Sequence, residues 1–379
     1  MNFALSEEQE AFREGLRRFL AEASPPAEVR RTMATPEGVD RGLWKRMAEE
    51  LGLQGLLVPE AEGGQGFGFL EVGIALEELG RALVCAPYLA SAVLATSALL
   101  ESGDTSARRS FLPALASGGT FGALALLDPG ADWSAADVRM SFVRDGAGYR
   151  LSGEKRYVEG GGVADLLVVA ARRPESAGLE GLSLFLVDGA APGLSRASLE
   201  TLDPTRRLAH LTFESVGARL LGAEGAAGAV LSRVLDLGAA GLAAEDVGGA
   251  ERCLEMALSY ARQRVQFARP IGSFQAVKHK AAEVLLELES ARAAAQYAAW
   301  TAAEAPQELP LAASLAKAVC GEAYLRAAAE SIQIHGGIGF TWEHDAHLYF
   351  RRARSTEAML GSPTQHRELA ARHLLDGAS

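Results

Sequence analysis

The sequence predicts a mainly α fold with a central β domain, and three observations predict it. Apolar residues recur at helical spacing through the first third. Between about 119 and 218 the period falls to two, and beyond Gly222 it returns to helical in an alanine-rich stretch. A chain of 379 residues is too long for one ordinary core, so the changes of period are read as boundaries. They give an N-terminal helical domain over 1–118, a middle antiparallel β domain over 119–218 and a C-terminal four-helix bundle over 219–379.

Each element follows from local signals. Leu5-Ser6-Glu7-Glu8 reads as a helix start, with Ser6 as N-cap and acids in the first turn. Further helices are expected over 43–51, 69–83 and 90–100. Gly63, Gly64 and Gly66 between the first two permit a tight backbone course. In the β block, Asp145-Gly146-Ala147-Gly148 signals a hairpin, and strands continue over 164–171, 182–187 and 208–213. The last third offers long helices over 226–264, 273–303, 311–334 and 344–359.

Composition narrows the function. A content of 49% hydrophobic and 22% charged residues belongs to a packed globular chain and excludes disordered, collagen-like and disulfide-scaffold classes. A net charge of −11 argues against nucleic acid or an anionic membrane as the main partner, while leaving room for a local basic pocket. Cys85, Cys253 and Cys320 lack metal or redox spacing and read as small buried hydrophobes of a reducing compartment. With no signal-peptide pattern and no long uncharged apolar stretch free of glycine, a soluble cytoplasmic protein is expected.

Two segments carry chemistry. Arg264-Val265-Gln266-Phe267-Ala268-Arg269-Pro270 turns one long helix into the next, with Gln275 at the fresh N-terminus. Arginine forks and free N–H groups there suit a diphosphate, although an ordinary helix corner with surface arginines reads the same. The second, Gln333-Ile334-His335-Gly336-Gly337-Ile338-Gly339-Phe340, places glycines just past a helix, as a C-cap or for close approach to a ligand. Trp342-Glu343-His344-Asp345-Ala346-His347 sets two histidines one turn apart without a third ligand cluster, so no metal is expected. Arg351, Arg352 and Arg354 read as salt-bridged or subunit-facing.

Together the two segments resemble the acyl-CoA dehydrogenase family of flavoproteins. The resemblance extends to Leu5-Ser6-Glu7-Glu8-Gln9, Val58-Pro59-Glu60, Gly63-Gly64 and the A-L-E-E-L-G of Ala75 to Gly80, and so spans the chain. It implies FAD between subunits of a dimer or tetramer, with Arg264, Phe267 and Gln275 near the diphosphate and adenosine. Gln333, Gly336 and Gly337 would lie at the FAD of a neighbouring subunit, and Tyr157 at the flavin ring. It further implies an acyl-CoA or other acyl thioester substrate, oxidised by α-proton abstraction and β-hydride transfer, and an electron-transfer flavoprotein or similar acceptor.

This sequence departs from the family at the ring and at the base. The hydroxyl positions of the ring-facing stretches hold Leu127 and Glu159. The usual glutamate of a tyrosine–glutamate–glycine triplet falls in Met359-Leu360-Gly361, and a second family position matches Gly238. Glu245, two turns beyond Gly238 and flanked by Gly241, Leu242, Gly248 and Gly249, is the candidate base, because no cation on its own helix can pair with it and small neighbours leave room for a ligand. Asp246 and Glu357 are lesser candidates. The alternative is a non-catalytic, half-site subunit that works with a second family chain.

Overall fold

The computed structural model describes residues 5–376. It has a helical N-terminal domain, a central β-sheet domain and C-terminal helices. The chain divides into two compact units that do not follow chain order. One holds the residues up to Arg30, Phe69–Val84 and everything from Ala239 onward; the other holds Arg31–Gly68 and Cys85–Gly238.

Six helices come first: α1 (Glu7–Ala23), α2 (Pro26–Met33), α3 (Arg41–Leu51), α4 (Phe69–Arg81), α5 (Thr96–Glu101) and α6 (Thr105–Ala116). Ser6 caps α1 as its sequence asks: its hydroxyl accepts from Gln9 N at 3.2 Å while the Gln9 side chain accepts from Ser6 N at 3.0 Å. Gly64 must be glycine, since a Cβ there would collide with the Val58 carbonyl. The helix expected over 90–100 opens instead as a π-helical stretch, Leu89–Ala95, before α5.

Seven strands follow: β1 (Gly122–Ala125), β2 (Phe142–Asp145), β3 (Gly148–Glu159), β4 (Leu166–Arg172), β5 (Leu182–Asp188), β6 (Leu194–Ser198) and β7 (Leu208–Leu221). The hairpin signal is correct, with Asp145 paired to Gly148 across Gly146 at φ 58°. The sheet runs β1-β4-β5-β7-β3-β2, with β6 beside β7. It is not wholly antiparallel, because β1 and β4 pair in parallel. The chain leaves β1, makes β2 and β3, and returns, an excursion long enough for a parallel crossover that no tight turn could make. Lys155 is fully buried in this unit, with Asp128 at 3.0 Å and the Leu126 carbonyl at 2.8 Å.

The rest is α7 (Ala227–Gln263), a two-strand hairpin of β8 (Val265–Gln266) and β9 (Arg269–Pro270), then α8 (Gln275–Glu304), α9 (Leu309–His335), α10 (Ala346–Ala358) and α11 (Pro363–Asp376). The four-helix expectation omitted α11, whose short polar-rich sequence carries a weak apolar stripe. By length and composition α7 could cross a membrane, but 67% of its most apolar window is buried inside the protein, as in a core helix.

Within the first unit α4 crosses α7 at glycine contact. A Cβ on Gly80 would collide with the Glu245 carbonyl, and one on Gly248 with the Glu77 carbonyl. Around this crossing Arg17, Arg81 and Arg292 share Glu77, Glu78, Glu251 and Glu255, tying α1, α4, α7 and α8 together.

Candidate functional site

One end of the first unit's helices gathers most of the expected ligand residues. The β8–β9 hairpin turns through Phe267 (φ 50°) and Ala268 (φ 61°), both in the left-handed region that a two-residue hairpin loop demands. Neither is glycine, so the loop is held under local strain. Ile271 N donates to the Arg264 carbonyl at 2.8 Å, closing the corner. Phe267 is 88% exposed, and Arg269 lies over the Phe274 ring at 4.1 Å. Helix α8 then starts at Gln275 without a side-chain cap, leaving its first N–H groups available to an anion.

The end of α9 meets the same corner. Ile334 packs with Ala257, Ala261, Tyr260, Ile271 and Val277. Gln333, Gly336 and Gly337 are exposed, and a Cβ on either glycine would meet nothing within 4 Å. Arg264, Gln275 and Gln333 make no side-chain hydrogen bond with the described residues and stand open to a ligand. The corner therefore offers guanidinium, free backbone donors, an uncovered glycine turn and exposed aromatics, a donor set that fits a dinucleotide diphosphate.

The histidines beside this turn are used for packing. His335 ends α9 at 4% exposure, its Nδ1 donating to the Ser331 carbonyl at 2.7 Å. Its ring lies 4.7 Å from Tyr260 and 4.2 Å from His344. His344 Nδ1 accepts from Ala346 N at 3.1 Å. Burial is the first cause that pushes His335, His344 and His347 below the usual histidine value. Among the described residues no group of three or more potential ligands is placed to hold a metal ion.

Glu245 does not have the surroundings its sequence suggested. Arg352 Nη1 of α10 donates to its Oε1 at 2.5 Å, and both side chains are buried. Of the small residues that promised room for a ligand, Gly248 is consumed by the α4–α7 crossing and Gly249 lies against the Tyr324 ring of α9. The cation came from another helix, which spacing along α7 could not reveal; the arginine run of α10 was the available signal. Asp246 is fully buried, and Glu357 pairs with Arg354 at 2.7 Å.

Leu360, where the sequence resemblance would set the usual glutamate, is buried with φ 57°. Buried His366 donates from Nε2 to its carbonyl at 2.9 Å, while His366 Nδ1 has no hydrogen-bond partner among the described residues. Sequence reasoning missed His366, since nothing in the spacing separates it from other polar residues of α11.

Tyr157 lies in the other unit. A register shift of β3 between Lys155 and Val158 leaves it with φ 54° and half exposed. Glu159, two residues on, is buried with Arg206 at 3.4 Å.

The chain can be set beside known proteins on this geometry. The N-terminal, middle and C-terminal domains of acyl-CoA dehydrogenases match residues 6–119, 123–216 and 223–375. Acyl-CoA dehydrogenase IpdE2 of Mycobacterium tuberculosis is 38% identical over 95% of this chain and 95% of its own length. The solved structure of butyryl-CoA dehydrogenase from Megasphaera elsdenii superposes with a TM-score of 0.92 at 28% identity, covering 99% of this chain and 100% of that one. The ChsE4–ChsE5 complex of Mycobacterium tuberculosis gives 0.88 at 30%, covering 99% of each. Three successive domains and near-complete coverage leave one conclusion: the chain belongs to the acyl-CoA dehydrogenase family.

Proposed function

We propose that the chain is a subunit of an FAD-dependent acyl-CoA dehydrogenase that introduces an α,β double bond into an acyl thioester, with an electron-transfer flavoprotein or similar acceptor downstream. The observation that carries this is the bundle end, where Arg264, the uncapped start of α8 and the open Gly336–Gly337 turn converge. When bound, the flavin supplies the hydride acceptor. This chain's Arg264, Gln275 and backbone N–H groups would hold the diphosphate, Phe267 would cover the adenosine, and Gln333 and Gly337 would face the cofactor from the turn. In the assembled enzyme, replacing Gly337 by Val should strip flavin while leaving a folded protein that melts where the flavin-free enzyme does. Retained flavin would refute the site.

Two assignments of the base follow, and one observation separates them. Glu245 would serve if Arg352 released it. A carboxylate held by a buried guanidinium is stabilised in its charged form and surrenders that pairing on accepting a proton. The pair therefore favours the second assignment: the base comes from a companion family chain, and this chain completes the assembly and the cofactor site. The ChsE4–ChsE5 relative is a complex of two named chains, which supports the same arrangement. A chain purified alone should then be colourless or flavin-poor, and should gain flavin only with its companion. One tightly held flavin per chain, reduced by thioester, would restore the single-chain reading.

A further inference from the structure

Trp342 lies just past the glycine turn, outside the Arg264, Gln275 and Gln333 set. Its indole is 57% exposed, yet it is held in place. The Arg351 guanidinium sits over the ring at 4.3 Å, and the His347 ring meets it edge-on at 4.5 Å. Thr341 N donates to the Ile338 carbonyl at 3.1 Å, so the segment carrying Trp342 is continuous with the Gly336–Phe340 turn. Through His344, His335 and Tyr260 the same segment is packed onto the end of α7 that leads into the Arg264 corner.

An exposed indole that is already oriented loses little entropy on binding, and with 57% of Trp342 exposed beside Arg351 and His347 a planar partner has indole surface to stack on. The surrounding corner supplies cations and free N–H donors for phosphate. A flat aromatic group joined to a diphosphate is the ligand chemistry that uses both. We propose that Trp342, backed by Arg351, is a stacking platform for the adenine end of the dinucleotide bound at the glycine turn. The inference rests on the cofactor reading above.

The test uses the assembled enzyme freed of flavin, with ADP as probe, which carries adenine and diphosphate without the flavin. ADP should bind saturably by calorimetry and quench tryptophan fluorescence. In Trp342→Phe the quench should disappear while binding stays within about threefold, and in Trp342→Ala binding should weaken about tenfold. Arg351→Ala should reproduce part of that loss. Unchanged ADP affinity in Trp342→Ala, with binding still abolished by Gly337→Val, would overturn the platform and leave the cofactor site intact. Absence of ADP binding to the unaltered protein would overturn both.

Discussion

Arg352 and Glu245 form a buried ion pair between α10 and α7, with Nη1 and Oε1 2.5 Å apart and side chains 4% and 6% exposed. Removing one partner leaves an uncompensated charge in the core. Arg352→Met should therefore cost about 3–5 kcal/mol by urea denaturation, and Arg352→Met with Glu245→Leu should recover most of it. A double-variant loss equal to the sum of the Arg352→Met and Glu245→Leu losses would show that the pair is not coupled.

The α4–α7 crossing makes a second demand. Gly248→Ala should cost at least ~2 kcal/mol, because the new methyl meets the Glu77 backbone, which cannot swing aside. Gly15→Ala in α1, where a Cβ meets nothing within 4 Å, should instead stabilise by about 0.5–1 kcal/mol. Thermal unfolding of the two variants side by side checks both signs.

Much of this was legible beforehand. The Ser6 cap, the Asp145–Gly148 hairpin and the long C-terminal helices follow from local chemistry, because neighbours along the chain supply the partners. The Arg264 corner and the Gly336–Gly337 turn were legible as motifs, and the structure joins them through Ile334 and Tyr260. At Glu245 the reverse holds: its Arg352 partner is distant in sequence, and glycines that look like room for a ligand are equally room for a helix. The parallel β1–β4 pair escaped notice because register between distant strands leaves no mark on a period of two.

His366 should make stability depend on mild acid. Burial first, and Lys317 in addition, push its imidazole down to about 4, while the Leu360 carbonyl acts the other way. Between that value and the ordinary 6.5 the unfolded chain takes a proton that the folded chain refuses. Stability from this group is full above the upper value and falls as pH drops toward the lower one. Its share of the loss between about pH 7.5 and pH 5 is about 2 kcal/mol. In His366→Gln the unfolding free energy should be lower at the higher pH but should decline less on acidification. Parallel pH profiles would contradict the assignment.

In the proposed assembly Glu245 serves the fold, and the base is supplied elsewhere. The rate of flavin reduction by an acyl thioester in the assembled enzyme carrying Glu245→Gln tests it most directly. Glutamine still accepts a hydrogen bond from Arg352 but cannot take the α-proton. The variant should be less stable, with its flavin reduced within a few-fold of the normal rate. Bound flavin that the thioester no longer reduces would contradict it and return Glu245 to the role of base.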